Sequence, residues 1–128
     1  MILNTHKAID ESLCGRLTKL EENYAEVWLH TSAAMLADEK GLIHGGFLFG
    51  AADYAAMAAV NDPNVVLGAA EVKFLAPVRH GQTVCFRAKV TQQKGKRHLV
   101  TVTGVCQGRR VFQGSFTAFV LERHVLEN

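Results

Sequence analysis

The sequence predicts an α+β fold in which one long, buried helix is covered by an antiparallel sheet, within a single domain of residues 1–128. Residues 45–60 are rich in alanine and nearly free of polar side chains, so a helix formed by them must be buried on almost every side. The later segments alternate apolar and polar residues, as strands with one buried face do. Short turns between those strands favour antiparallel neighbours, and the helix provides the cover that the apolar face of such a sheet needs.

Each element is predicted from its local pattern. Thr5 to Cys14 is predicted as a short helix, capped by Thr5 and ended by Gly15. Leu17 to His30 is predicted as one extended segment because apolar and polar residues alternate in it, and a loop follows over residues 31–41. The later predicted elements are the helix at 45–60, a turn at 61–64 and strands at 65–74, 83–91, 97–107 and 110–121.

Composition and charge exclude several classes of protein. With 48% hydrophobic residues the chain is too apolar to be disordered, and a net charge of +2 argues against a dedicated nucleic-acid binder. The most apolar stretch, Phe47 to Val60, is shorter than the ~18 residues of a membrane span and contains Asp53. We therefore expect neither a nucleic-acid partner nor insertion into a membrane.

The cysteines and histidines match no redox or metal motif. Cys14, Cys85 and Cys106 are odd in number and irregularly spaced, which favours reduced thiols in the cytoplasm. The first residues lack the charged and apolar regions of a signal peptide. The histidines without metal-ligand spacing are His6, His30, His80, His98 and His124. We predict a cytoplasmic protein that uses no metal and no cofactor.

His44-Gly45-Gly46, at the start of the long helix, indicates a site for negative charge. Adjacent glycines let the backbone approach a ligand closely. The first turn of a helix offers free N–H groups and the positive end of the helix dipole. Together they favour an anion or a developing oxyanion. The alternative is a helix that merely begins with glycines.

Asp53 is the only residue between Phe47 and Val60 whose side chain carries a charge at neutral pH. A buried carboxylate without a partner is costly, so it becomes protonated or finds partners. Buried carboxylates with shifted pKa values are candidates for functional sites. The alternative is an aspartate that is bonded to backbone or faces a solvated groove.

Helix geometry separates these two features. His44 and Asp53 are nine positions apart, or ~13.5 Å of helix at ~1.5 Å per residue. At ~100° per residue the two also lie on nearly opposite faces. Asp53 can therefore serve the helix start of a second, antiparallel copy more easily than its own. If the features act together, the site is assembled between subunits.

The stretch from His44 to Tyr54 resembles the hotdog-fold thioesterases, especially the phenylacetate-pathway (PaaI) type and its 4-hydroxybenzoyl-CoA relatives. They share His-Gly-Gly followed by an acid on the long central helix. The segment Phe74-Leu75-Ala76-Pro77-Val78-Arg79-His80-Gly81 resembles the same family, and the likeness covers about residues 15–122. The resemblance implies a hotdog fold, with a curved antiparallel sheet around the helix and edge-to-edge dimers, or dimers of dimers. It also implies hydrolysis of an acyl-CoA or related thioester to the free acid and CoA.

The resemblance assigns roles within the site. It implies that the Gly45 N–H polarises the thioester carbonyl while His44 positions that region. Asp53 of the partner subunit would act on water as a general base, or would attack as a nucleophile.

The chain departs from the family at positions that support the carbonyl. Six residues before the histidine, where relatives often carry Asn or Gln, stands Asp38, whose negative charge would repel an oxyanion. A shift of one residue would place Glu39 there. Relatives also often carry Ser or Thr at positions that correspond to Leu67 and Met57, which are apolar.

Two further groups of side chains are candidates for substrate binding, together with Gly46. Basic residues in turns can hold the phosphates of CoA or simply solvate those turns. They are Arg79, His80, Lys94, Lys96, Arg97, Arg109 and Arg110. Apolar side chains of the helix can line an acyl pocket or pack in the core. They are Phe47, Phe49, Tyr54 and Met57.

Two functions from different classes remain open, and a third lacks support. Asp53 favours a thioesterase. Asp38, Leu67 and Met57 favour a non-catalytic acyl-CoA-binding module, like the effector domain of hotdog transcriptional regulators. That second function is weakened by the lack of a helix-turn-helix extension. A hotdog hydratase would need a paired Asp/His motif, which the sequence does not show.

Overall fold

The computed structural model of the chain describes residues 1–127 and confirms the predicted hotdog architecture. The helix α1 is a single turn at Glu11–Cys14, and the long helix α2 occupies Gly45–Val60. Short 3-10 turns lie at Ala33–Met35 and Val125–Glu127. The six strands are β1 (Arg16–Glu21), β2 (Tyr24–His30), β3 (Val65–Phe74), β4 (Thr83–Lys94), β5 (Arg97–Cys106) and β6 (Arg109–Val120).

One curved antiparallel sheet holds all six strands in the order β1-β2-β4-β5-β6-β3. The strands β2, β4, β5 and β6 form its middle, and β1 and β3 form its two edges. Because β3 follows α2 directly but pairs with β6, the helix connects the two halves of the sheet across one face.

The core lies between α2 and the sheet. The largest buried rings, Phe86, Phe112 and Phe116, come from the strands and are fully buried. The helix meets them with alanines, whose small side chains let the two layers approach closely. Gly104 allows one of these contacts, because a Cβ there would lie 2.8 Å from the ring of Phe86 and 3.0 Å from Phe112 Cβ.

The predicted helix over residues 5–14 is wrong for most of its length. Only Glu11–Cys14 is helical, and its N-cap is Asp10, whose carboxylate accepts a 2.9 Å hydrogen bond from the Ser12 N–H. His6 has a φ of 54°, in the left-handed region that ends a right-handed helix. The segment before Asp10 instead lies against α2, because it contacts that helix and its C-cap residue rather than continuing α1.

The extended segment predicted from Leu17 to His30 is a hairpin of two strands. Asn23, with a φ of 62°, forms the tight turn between β1 and β2. The alternation itself is confirmed, since Ala25, Val27 and Leu29 are fully buried. Further along, β4 continues to Lys94. The turn between β5 and β6, Gln107-Gly108, has positive φ at both residues, as a tight hairpin requires.

The bounds of α2 and of β3 agree with the prediction, and the predicted turn over residues 61–64 follows α2. Cys14, Cys85 and Cys106 are free thiols. No helix within residues 1–127 has both the length and the apolar character needed to cross a bilayer.

Candidate active site

The N-terminus of α2 presents unused backbone donors. His44 is the N-cap residue, with φ −66° and ψ 129°, and its side chain makes no capping hydrogen bond. Gly45 and Gly46 are the first two helical residues. Because the first N–H groups of a helix have no acceptor within the helix, those of Gly45 and Gly46 are available to water or to a ligand. The helix dipole makes this point favourable for negative charge.

Side chains at Gly45 and Gly46 would each meet a neighbouring ring. A Cβ at Gly46 would lie 2.9 Å from Nε2 of His44, whose exposed ring folds back over this position. A Cβ at Gly45 would lie 3.2 Å from Cε1 of Phe74, at the end of β3. The His44 ring in turn makes an edge contact with Phe47, with their centroids 6.0 Å apart. A side chain at either glycine would therefore crowd the space in front of the backbone donors.

A hollow of about 320 Å³ opens beside Gly45, and its lining is mainly apolar. The residues that line it are Leu42, Ile43, Gly45, Leu48, Phe74, Leu75, Ala76, Pro77 and Val78. Several of these apolar side chains are unusually exposed, since Leu42 is 41%, Phe74 52% and Leu75 46% accessible. Exposed apolar patches of this kind mark surfaces that bind a ligand or another chain.

Asp53 lies in the middle of α2 and is half-buried. Within residues 1–127 its Oδ1 is buried and has no hydrogen-bond partner. Burial raises the pKa of the Asp53 carboxyl above its usual value, while the charge of His6 acts in the opposite direction. A buried carboxyl with a raised pKa and an unsatisfied oxygen is a candidate general base.

His6 is a residue of this region that the sequence did not identify. Its ring stacks on Tyr54, the neighbour of Asp53, with centroids 6.2 Å apart and an angle of 23° between the planes. Burial lowers the pKa of the His6 imidazole, and Asp53 raises it. No local signal links the two residues, because they are far apart in sequence and His6 fell inside a wrongly predicted helix.

Cys14, on α1, is also close to the carboxylate but is not activated. Burial raises the pKa of the Cys14 thiol, and the charges of Asp10 and Asp53 raise it further. A thiol in such surroundings stays protonated and is a weak nucleophile. The chemistry of this region therefore depends on the carboxyl of Asp53.

One chain does not bring Gly45 and Asp53 together. The helix is continuous between them, so eight residues separate them by ~12 Å at ~1.5 Å per residue. The hollow beside Gly45 does not include Asp53. The two features are parts of one helix that face different surroundings.

The other predicted site residues lie in varied positions. Asp38 is exposed, and its carboxylate accepts hydrogen bonds from the N–H groups of Lys40 at 2.9 Å and Leu42 at 3.2 Å, which shapes the loop before α2. Tyr54 and Met57 are buried in the core, whereas Phe47 is half-buried close to His44.

The predicted basic residues divide between the two ends of α2. Arg79 forms a β-bridge with Leu42 and so lies near the start of the helix. Lys96 lies near the end of the helix, where it shares a hollow with Val60 and Asp62. All of these basic side chains are exposed. The group near the start of the helix is Arg79, His80, Arg109 and Arg110. The group near its end is Lys94, Lys96 and Arg97.

A long helix wrapped by one curved antiparallel sheet is the arrangement of hotdog proteins. Residues 40–113, more than half of the chain, match the family model of the thioesterase superfamily, and the chain belongs to that family.

Two solved structures extend the likeness. An uncharacterized protein from Pyrococcus horikoshii superimposes with a TM-score of 0.97 and 48% identity, over 98% of this chain and 97% of that one. The PaaI protein of the Escherichia coli phenylacetic acid degradation operon superimposes with a TM-score of 0.84 and 25% identity, over 93% of this chain and 88% of that one. The chain is thus similar over nearly its whole length to two structures of this fold.

Two curated relatives are longer proteins. The chain is 49% identical over 123 residues to methylthioribose-1-phosphate isomerase of Aquifex aeolicus, a match that covers 95% of this chain and 27% of that protein. It is 27% identical over 86 residues to the transcription factor FapR of Caldanaerobacter subterraneus, which covers 67% of this chain and 43% of that protein. The chain therefore spans about a quarter of the first relative and less than half of the second.

Proposed function

We propose that this protein is an acyl-CoA thioesterase that works as a homodimer, with each active site shared between two chains. The observation that carries the proposal is Asp53, whose Oδ1 is buried and has no partner among residues 1–127, on the same helix as an N-terminus without a side-chain cap. Membership of the thioesterase superfamily supports the class of reaction.

The proposed reaction uses the two parts of the site in turn. The Gly45 N–H binds the carbonyl oxygen of the thioester, where negative charge develops in the transition state. The partner's Asp53 takes a proton from a water molecule, whose oxygen attacks the carbonyl carbon. The tetrahedral intermediate collapses, the C–S bond breaks, and the CoA thiolate leaves and takes up a proton. If Asp53 attacks directly instead, an acyl-aspartyl anhydride forms, which hydroxylamine would trap.

The sheet edges support this dimer. The strand β1 is a short edge of only six residues, which makes it a poor template for pairing. The strand β3 is a longer edge of ten residues, and its middle exposes Ala69 and Ala70. Pairing of two β3 strands about a twofold axis would set the α2 helices antiparallel. Each Asp53 would then approach the Gly45 of the other chain.

The same symmetry suits a CoA ester. In an antiparallel pair, the Arg79 end of one chain lies beside the Lys96 end of its partner, which gathers both basic groups around one site. We assign these side chains to the phosphates of CoA. The apolar hollow at Phe74 and Leu75 is assigned to the acyl chain.

A thiol-release assay of the purified full chain against short, long and aromatic acyl-CoAs tests the activity. Because Cys14, Cys85 and Cys106 are free, protein blanks must be subtracted or the free acid measured directly. We expect turnover of at least one ester that is lost in Asp53→Asn. Absence of turnover with every ester, from protein that is shown to be folded, would contradict the proposal.

Subunit complementation tests the shared site. Inactive Gly45→Val chains and inactive Asp53→Asn chains are unfolded together and refolded. A random mixture contains about half heterodimers, each with one native and one doubly damaged site, so activity should recover to roughly a quarter of wild type. If heterodimers form and the mixture stays inactive, each site lies within one chain.

A second candidate is an acyl-CoA-binding module without catalysis. The match to FapR, a transcription factor, favours it, as does the negative charge of Asp38 beside the loop that precedes the helix start. Calorimetric titration separates the two functions. A binding module would bind an acyl-CoA with measurable affinity and would never hydrolyse it, whereas a thioesterase would release the thiol from the ester that it binds.

A further inference from the structure

His6 is held in one position although nothing in the proposed reaction yet uses it. A hydrogen bond of 2.8 Å joins its Nδ1 to the hydroxyl of Thr5, which is itself buried, and its ring stacks on Tyr54. Its backbone adopts a left-handed conformation with a φ of 54°. A residue other than glycine keeps that conformation only when its surroundings fix it.

The segment that carries His6 is anchored to α2. Asn61, the C-cap residue of the helix, accepts a 2.6 Å hydrogen bond from the Asn4 N–H and donates one of 2.9 Å to the Ile2 carbonyl. These two hydrogen bonds, together with the stacking on Tyr54, hold the N-terminal segment against α2. The imidazole is thus placed beside the turn of α2 that contains Asp53.

Asp53 needs such a neighbour. Among residues 1–127 its Oδ1 has no hydrogen-bond partner, and the charged group coupled to it with opposite sign is His6. The other titratable group facing it is Cys14 of α1, whose thiol is neutral, while Asp10 acts on Cys14. Since Thr5 occupies Nδ1 of His6, the remaining ring nitrogen, Nε2, is available to the carboxylate or to a bridging water.

We propose that His6 is a positioning residue for Asp53: fixed by Thr5 and Tyr54, its imidazole pairs with the ionised carboxylate and orients it toward the thioester held by the other chain. The proposal deepens the function proposed above and rests on it. Each chain would then supply a His6–Asp53 pair to its partner's oxyanion site. Neither residue would need to be ordered by the substrate.

The pH profile gives a signature that a merely structural role would not produce. Burial raises the pKa of Asp53 and His6 opposes that rise, so loss of His6 should raise the Asp53 pKa further. A base with a higher pKa is protonated over a wider acid range. The acid limb of kcat/KM should therefore move to higher pH in His6→Asn, where asparagine tolerates the left-handed backbone. We expect kcat to fall by about tenfold, less than the ~10²-fold loss of a general base, with KM nearly unchanged.

The chain offers a matched control. His30, on β2, makes the same kind of contact, with Nδ1 2.9 Å from the Thr83 hydroxyl, but it is exposed. His30→Asn should leave kcat and the pH profile at wild-type values. Thr5→Val should reproduce part of the His6→Asn effect. Thr5→Ser keeps the hydroxyl and should therefore behave like wild type.

A histidine titration by NMR tests the pairing without any turnover. Asp53 raises the pKa of His6, so the His6 pKa should fall in Asp53→Asn. An unchanged His6 titration, or a wild-type acid limb in His6→Asn, would overturn the proposal. If no acyl-CoA is hydrolysed by the wild-type chain, the proposed function fails, whereas a lowered His6 pKa in Asp53→Asn would still support the pair.

Discussion

The two chemically distinctive parts of α2 differ in what surrounds them. Its N-terminus is open, with backbone N–H groups next to an apolar hollow and to exposed side chains such as Phe74. Its middle is closed, because the N-terminal segment covers the turn at Asp53 with the ring of His6 on Tyr54. An oxyanion site needs access for the substrate, and a general base needs surroundings that tune its pKa. One helix provides both environments only by placing them a few turns apart.

The largest effect should come from the closed part. Asp53→Asn keeps the size of the side chain but removes the proton acceptor, and a general base contributes at least ~10²-fold. We expect kcat for any hydrolysed acyl-CoA to fall by that factor, with KM changed little. The measurement is steady-state thiol release by wild type and variant. Turnover within a few-fold of wild type would show that the carboxyl of Asp53 is structural.

A second large effect should come from the open part. Gly45→Ala keeps the N–H but puts a methyl group 3.2 Å from the ring of Phe74 and in front of the carbonyl site. Loss of one oxyanion donor costs ~10²-fold or more, so partial obstruction should lower kcat/KM by about 10- to 100-fold. The double variant Gly45→Ala/Phe74→Leu relieves the contact with the ring. If the double variant recovers full activity, the methyl group acts through packing and not by blocking a carbonyl.

A smaller effect is expected from the basic residues near the C-terminal end of α2, which we assign to the phosphates of CoA. The triple variant Lys94→Gln/Lys96→Gln/Arg97→Gln should raise KM for an acyl-CoA by a few-fold, since exposed ion pairs contribute at most ~1 kcal/mol each. The effect should fade at high salt, because exposed charges are screened over ~8–10 Å at physiological ionic strength. KM for the acyl-pantetheine analogue should not change.

Lys19→Gln is the control for that charge effect. Lys19 is exposed on the β1 edge and pairs with Glu21 at 3.3 Å. Its loss should leave KM for both substrates unchanged. An equal rise of KM for the CoA ester and the pantetheine ester in the triple variant would remove these residues from phosphate binding.

The smallest effect concerns stability and again separates the closed part from the open one. Burial raises the folded-state pKa of Asp53 above its usual value of about 3.9, so its contribution to stability is full below that value and is lost as pH rises through the folded pKa. Asp53→Asn should therefore raise Tm by a few degrees at pH 8. The difference should shrink toward pH 3.5. Thermal unfolding of both proteins across this range checks the sign, and a lower Tm for the variant at pH 8 would contradict it.

The sequence by itself determined the long helix α2 and the candidate catalytic residues on it. The bounds of α2 were predicted because the glycines at its start, the proline-containing turn after it and the unbroken apolar stretch between them are all local signals. Asp53 was predicted as a functional residue for the same reason, because one charged residue within an apolar stretch is visible in the local sequence alone. The alternating pattern of β2 and β4 likewise fixed which residues are buried, because side chains alternate between the faces of a strand.

Only the tertiary structure decided which residues surround that helix. The segment before Asp10 has enough apolar residues to suggest a helix, but its contacts with Asn61 and Tyr54 hold it in another conformation. The turn at Asn23 divides the predicted extended segment into β1 and β2, although apolar and polar residues alternate on both sides of the turn. The neighbourhood of His6 and Asp53 was beyond prediction for a physical reason. It arises from packing between residues distant in sequence, which leaves no periodic or motif signal in either segment.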